Sequence, residues 1–257
     1  MKKLATILVI ILTLSLAYPF AMADIYDSGL DGWWTMDSTR VVDNVTDSST
    51  NANNGFMNGF TSTSSALASG QIAQGLLFDG SNDYILLGNP ASLDISGATT
   101  ICYWVNPTSL VSAAGDFNSV YTSLSAVGIT QATFLYNETG TIYFVWSADG
   151  VSFGSIQSFA GGVVINRWTH ICGVRNTSDG ATGVIYKNGV ASTTAVSQSA
   201  LVATVGFNPI TIGGDLNGYD SPPTGRLDDV RVYNRALAAN EVAQLYLSSL
   251  NNYSSDY

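Results

Sequence analysis

Along most of the chain, apolar and polar residues alternate in short runs, and Gly, Asn, Asp or Ser ends each run after a few positions. Successive side chains of a strand point to opposite faces, so this period of two predicts β-strands, closely spaced as in a sandwich or barrel. The clearest runs are 32–36, 76–78, 84–87, 100–105, 141–147, 169–174, 183–187, 210–212 and 227–233. Asn188-Gly189 between two runs predicts a type I′ hairpin, whose two central residues both need positive φ. Asn137-Glu138-Thr139-Gly140 reads as a longer hairpin loop, and 38–70, rich in Ser, Thr, Asn and Gly, as an extended loop. Helical spacing occurs only at 238–247, where Val242, Leu245 and Tyr246 share a face and Asn240 is the expected N-cap. No linker interrupts these elements, so residues 24–250 are expected to form one domain, followed by a short tail over 251–257.

The first 23 residues read differently. Lys2 and Lys3 precede an apolar run over 4–16, then Pro19 and Ala21-Met22-Ala23, which is the pattern of a secretory signal peptide. The run is shorter than the roughly 20 residues of a membrane span, and Pro19 interrupts it. The expectation is an exported chain beginning at Asp24, secreted or at the cell surface, with no membrane insertion after cleavage. No cysteine follows the cut, so no lipid anchor is expected.

Charge narrows the function classes. Only 11% of the 257 residues are charged, against roughly 25% in an average soluble domain. Acidic residues outnumber basic ones 19 to 9, a net charge of −10. Without Lys2 and Lys3 the balance is −12, and Lys187 is the one remaining lysine. No basic stripe exists to displace counterions from a phosphate backbone, which excludes nucleic acid as a main partner. An acidic surface does suit calcium.

The reactive residues are few. His170 is the single histidine, which excludes paired-histidine metal sites. Alternation places it on one strand face with Trp168 and Cys172, expected to point inward as a structural imidazole. Glycosidases need two carboxyls flanking a bond, yet the two glutamates, Glu138 and Glu241, lie in a turn and near the terminal helix. No predicted strand carries two acidic residues at positions i and i+2, so no catalytic residues are expected. Cys102 and Cys172 each fall in a predicted strand; an even count in an exported chain reads as one disulfide, the alternative being two buried thiols. All five tryptophans fall in or beside predicted strands and read as core, leaving Tyr136, Phe207 and Tyr219 as loop aromatics for ligand contact. Asp47, Asn51 and Asn53 place oxygens at alternate positions but lack the later glutamate of an EF-hand loop, and read as a solvated turn.

Seven segments in order resemble the laminin G-like and pentraxin branch of the concanavalin A-like jelly rolls. They are Gly32-Trp33-Trp34-Thr35-Met36-Asp37, Asp47 to Gly55, and Phe78-Asp79-Gly80-Ser81-Asn82-Asp83-Tyr84, the most specific. Thr100 to Val105, Arg167 to Cys172, Tyr186-Lys187-Asn188-Gly189-Val190 and Gly225 to Leu237 complete the series. The resemblance implies an all-β, concanavalin A-like jelly-roll sandwich of two antiparallel sheets with a short C-terminal helix. It also favours a Cys102–Cys172 bond, because pentraxins join the matching strands.

By the same resemblance Asp228 is nominated as a structural calcium ligand, with Gly80 and Asp37 beside it. Alternation supports the need, since it groups Asp228 with Val230 and Val232, and a carboxylate among valines requires a cation or an arginine partner. The pentraxin ligand face matches the segment carrying Asp215 and Asn217, with Asp220 and Tyr219 nearby, although its second acidic pair has no counterpart at 126–131. The function implied is non-catalytic recognition or adhesion, with a glycan or surface polysaccharide as ligand and Ca2+ as a structural cofactor. A structural subunit of a surface layer, appendage or virus particle, assembled as an oligomer, is the alternative, and a hydrolase ranks third.

Overall fold

The computed structural model describes residues 28–37, 44–110, 117–125, 128–147, 153–158, 161–176, 183–197, 209–214, 216 and 221–252. The expected signal peptide over 1–23 and residues 253–257 lie outside them. The strands begin with β1 (Leu30–Trp34), β2 (Asn44–Val45), β3 (Gly55–Asn58), β4 (Leu67–Ser69), β5 (Gln74–Asp79) and β6 (Tyr84–Gly88). They continue with β7 (Thr99–Pro107), β8 (Phe117–Ser125), β9 (Gly128–Asn137), β10 (Ile142–Ser147), β11 (Phe153–Ser158) and β12 (Thr169–Arg175). Last come β13 (Gly183–Lys187), β14 (Val190–Ala191), β15 (Thr193–Ser197), β16 (Ile210–Ile212) and β17 (Thr224–Tyr233). A single helical turn, α1 (Thr63–Ala66), precedes β4, and α2 (Ala239–Asn252) closes the chain.

These strands form two antiparallel sheets. The first has eight strands in the order β14-β13-β12-β7-β17-β5-β4, with β1 also paired to β17. The second has nine, in the order β15-β11-β10-β9-β8-β16-β6-β3-β2. Between them lies one apolar core that includes Trp34, Phe78, Ile101, Tyr103, Phe144, Trp146, Ile171 and Val230. This is the expected all-β sandwich. Three strands and α1 occupy the 38–70 stretch that reads as loop. They are two to four residues long, too short for alternation to show, and tertiary pairing rather than pattern sets them. The Asn188-Gly189 hairpin is present, with φ of +50° and +76°.

The first sheet is buried on both sides, which explains why β7 and β12 carry almost no exposed residue. Ile101, Tyr103 and Ile171 face the second sheet. Cys102, Cys172, Val174, Tyr186 and Tyr233 face the other way, packed under Leu237, Val242 and Leu245 of α2 and the segment before it. The face shared by His170 and Cys172 is therefore buried against the helix rather than against the second sheet, a correction to the inward orientation. Trp168 lies ahead of β12 and is half-buried.

The start of α2 also differs from expectation. The Ala238 carbonyl accepts the first helical hydrogen bonds, and the Glu241 carboxylate accepts from the Ala238 N–H at 2.7 Å. Asn240 lies inside the first turn, and Glu241 supplies the reciprocal half of a capping box. Arg235 donates two bonds to that same carboxylate, at 2.9 and 2.8 Å.

An extra residue interrupts β17. Asp228 pairs with Trp104 and Arg231 with Cys102, so three steps along β17 oppose two along β7, and Asp229 takes a φ of +50°. This bulge resets the alternation. Leu227, Val230 and Val232 all point into the core, whereas Asp228 points outward beside Trp104. The expected grouping of Asp228 with two valines is thereby corrected.

Cys102 and Cys172 sit directly opposite each other in β7 and β12 and are joined by a disulfide, with 4.1 Å between their Cα atoms. The bond closes a loop of 70 residues, for which chain entropy gives roughly 4 kcal/mol. The Cys102→Ala/Cys172→Ala double variant is expected to lose about 2–5 kcal/mol of unfolding free energy in denaturant titrations. Equal midpoints for variant and oxidised wild type would overturn this.

Candidate functional site

A tight turn joins β5 to β6, and it forms one side of a concavity on the described surface. Asp79 closes the turn by accepting at Oδ1 from the N–H groups of Ser81 (2.8 Å) and Asn82 (3.4 Å). Gly80 adopts a φ of +80°, and a Cβ there would strike the Thr224 hydroxyl. Asp83, only 5% exposed, accepts from the Asp79 N–H at 2.9 Å. Its pKa is raised, first by burial and then by the neighbouring Asp79 carboxyl, against the pull of the Asp79 N–H.

Around the turn lies a pocket of about 320 Å³, lined by Phe60, Thr61, Ser65, Ala66, Leu77, Phe78, Asp79, Asp83, Thr108 and Thr224. Four separated segments supply its walls. Phe60 meets Phe78 edge to face at 5.2 Å, and Leu77 is 39% exposed beside them. The Thr224 carbonyl accepts from the Thr108 N–H at 2.7 Å, which ties the end of β7 to the start of β17. The result combines an apolar wall, two carboxyls and four hydroxyls in one open recess. Sequence reading missed it. The 78–84 motif was the strongest match, but it reads as a fold signature, and nothing local marks Phe60 or Thr224 as its neighbours.

The nominated metal residues divide between two places. Asp228 is fully buried; its Oδ2 accepts from the N–H groups of Gln71 and Ile72, each at 2.8 Å, and its Oδ1 has no partner. Asp37 accepts from the Gln74 N–H at 3.0 Å in the same region, close enough to act electrostatically on Asp228. The Asp228 pKa is raised well above the carboxylate range by burial and by Asp229, against the pull of the two N–H groups, with Asp37 adding to the rise. Gly80 is elsewhere: Asp79 pairs with Thr224, four residues before Asp228, or roughly 13 Å along β17. The arginine partner considered for Asp228 goes to its neighbour instead, since Arg231 pairs with Asp229 at 3.0 Å. Trp33 donates to Asp229 through Nε1 at 2.5 Å and lies under the Arg231 guanidinium at 4.4 Å. A partnerless buried carboxylate oxygen beside a second carboxylate fits a hard cation held by oxygen ligands.

Other nominated residues resolve as follows. Asp215, Asn217, Tyr219, Asp220 and Phe207 lie outside the described residues. Tyr136 belongs to β9 and is fully buried, so it is no loop aromatic. Asp47 is buried rather than solvated, and its carboxylate accepts from Trp33 N–H, Ser49 N–H, the Ser49 hydroxyl and Asn53 N–H at 2.7–2.8 Å. Those bonds fasten the 47–54 loop to β1 and occupy the oxygens.

His170 is buried between Trp104 (5.1 Å between ring centres) and Tyr246 (5.9 Å), with Nδ1 unpartnered and Nε2 3.9 Å from Cys172 Sγ. Burial lowers its pKa to about 4, against Asp229, which raises it, and with Arg231 adding to the fall. Cys102, His170 and Cys172 offer ligand-type atoms within 4.8 Å of one another, but the two sulfurs are bonded together. The imidazole is a neutral packing group. Among the described residues no helix is long and apolar enough to cross a membrane.

Residues 79–243 match the family described as the Concanavalin A-like lectin/glucanases superfamily. No curated protein sequence matches the chain. Among solved structures, it is similar to the binding domain of Paraclostridial Mosquitocidal Protein 1, with 17% identity, TM-score 0.64, and 87% of this chain against 53% of that one covered. It is also similar to domain 4 of AbnA, a GH43 extracellular arabinanase from Geobacillus stearothermophilus in complex with arabinotriose, with 17% identity, TM-score 0.58, and 86% against 99% covered. A third is the binding domain of botulinum neurotoxin DC in complex with SialylT, with 13% identity, TM-score 0.60, and 88% against 52% covered. The chain thus spans about half the length of these two toxin domains and nearly all of the arabinanase domain. Two of the three are binding domains of toxins, and the other is one domain of an enzyme.

The buried imidazole gives stability a defined pH slope. Its folded pKa of about 4 lies below the ordinary 6.5, so between those values only the unfolded chain takes up the proton. That contribution is complete above about pH 6.5 and is lost as the pH falls towards 4. Unfolding free energies from pH 7 to 4 are expected to fall more steeply for wild type than for His170→Gln. Parallel curves would refute the neutral buried histidine.

Proposed function

The chain belongs to the concanavalin A-like lectin/glucanase superfamily, and from that premise we propose that it is an exported, non-catalytic carbohydrate-binding module stabilised by calcium. The observation that carries this reading is the pocket beside the 79–83 turn. Its Phe60 and Leu77 wall offers apolar faces for the C–H side of a sugar ring, and its carboxyls and hydroxyls meet ring hydroxyls. The likeness to an arabinanase domain covered at 99%, in complex with arabinotriose, supports the same ligand class. The toxin domains support it less, since the chain spans only half of each.

Non-catalytic action is supported by the carboxyl geometry. Asp79 is tied to the Ser81 and Asn82 N–H groups and Asp83 to the Asp79 N–H, so both carboxyls brace one turn, whereas a glycosidase pair flanks a bond from opposite sides. Export is supported by the leader and by the acidic, lysine-poor balance of the chain. Calcium would be held by Asp228 through Oδ1 and by Asp37, pinning β17 to the segment before β2 and the turn before β5, a structural role without chemistry.

The experiment is binding of residues 24–257 to a panel of neutral and acidic oligosaccharides, in calcium and in EDTA. Binding is expected, with Phe60→Ala weakening it about 10-fold. Calcium is expected to raise the unfolding midpoint of wild type and not of Asp228→Asn. Equal midpoints in calcium and EDTA would remove the calcium reading. A folded sample that binds nothing would remove the glycan reading in favour of a structural subunit.

A further inference from the structure

The pocket is also selective by charge. Its lining holds two carboxyls and no lysine, arginine or histidine. The nearest described cation on its strands is Arg226, which pairs across from Leu77 on β5. That guanidinium donates to the Ser69 carbonyl at 3.4 Å, at the end of β4, and it is not part of the pocket lining. Lys187 and Arg235 are engaged elsewhere, with the Gly161 carbonyl and with Glu241. The chain as a whole carries −10, so its long-range field repels anions as well.

Two features make the local charge hard to neutralise by rearrangement. Asp83 is 5% exposed and anchored to the Asp79 backbone, and Asp79 is anchored to the turn by Ser81 and Asn82. Neither carboxyl can swing out of the recess without breaking the turn. Carboxyl oxygens accept hydrogen bonds, and the hydroxyls of Thr61, Ser65, Thr108 and Thr224 both donate and accept. A sugar hydroxyl satisfies that set as donor and acceptor. A sugar carboxylate, which only accepts, would face like charges with no cation to receive it.

We infer that the pocket takes an uncharged glycan and rejects sialylated or uronic-acid sugars. This rests on the carbohydrate-binding reading of the same pocket and adds its ligand class. It separates the chain from the botulinum neurotoxin DC domain, whose structure holds SialylT, and places it with the arabinotriose-bound domain.

Matched pairs test it: lactose against sialyllactose, and galactotriose against trigalacturonate, titrated calorimetrically into folded protein in EDTA so that no divalent cation bridges the carboxylates. The neutral member of each pair is expected to bind at least roughly 10-fold more tightly. Asp79→Asn, which keeps the side-chain shape and the turn acceptor, is expected to narrow that gap at least threefold, as is raising the salt from 0.05 to 0.5 M, through screening. Acidic members binding as well as neutral ones, with Phe60→Ala weakening both, would overturn the charge selection and leave the glycan pocket standing. A gap that neither Asp79→Asn nor salt changes would also overturn it. Absence of binding by every member would remove the glycan reading and this inference together.

Discussion

One inserted residue in β17 sets the geometry around it. An antiparallel pair without a bulge would carry strict alternation from Leu227 to Tyr233 and drive either Val230 or Leu227 out of the core. Asp229, in a left-handed conformation, absorbs the extra residue, so that both halves of β17 bury their apolar side chains. The half before the bulge then pairs with β5, the half after it with β1, and β7 runs along both. The opening strand, the pocket strand and the disulfide strand are all held in register by this one element.

The bulge also explains why two adjacent aspartates behave differently. Asp229 reaches Arg231 and the Trp33 indole, and this buried pair is compensated by geometry and by the aromatic ring beneath the guanidinium. Asp228 reaches only two backbone N–H groups and keeps one oxygen without a partner. A carboxyl in that position is held towards its neutral form by burial, by Asp229 and by Asp37, against the pull of the two N–H groups.

Burial on both faces gives the first sheet a second core. The helix and its Arg235–Glu241 clasp cover the disulfide and His170, so helix docking, cross-linking and a neutral imidazole belong to one layer. That layer is remote from the pocket, which lies where β5 ends and the helix no longer covers the sheet. The pocket and the bracing layer therefore occupy different regions of one scaffold, and a recess built on a sheet end is free to vary in chemistry without loss of the core.

Much of this was legible locally. Alternation marks nine strands within three residues of their ends, because period two is written in consecutive residues. Asn188-Gly189 specifies its own turn, and the only two cysteines lie in strands that prove to be neighbours. The excess of carboxylates over cations is a property of composition and needs no fold. The tertiary structure alone decided the rest. It placed the bulge at Asp229, turned the His170 face towards the helix, moved the capping role from Asn240 to Glu241 and separated Gly80 from Asp228. It also joined Phe60, the 77–83 segment, Thr108 and Thr224 into one pocket. The bulge and the pocket depend on the pairing of β17 with β5 and β7, across more than a hundred residues of chain, and no pattern within a single strand records which distant strand will lie beside it.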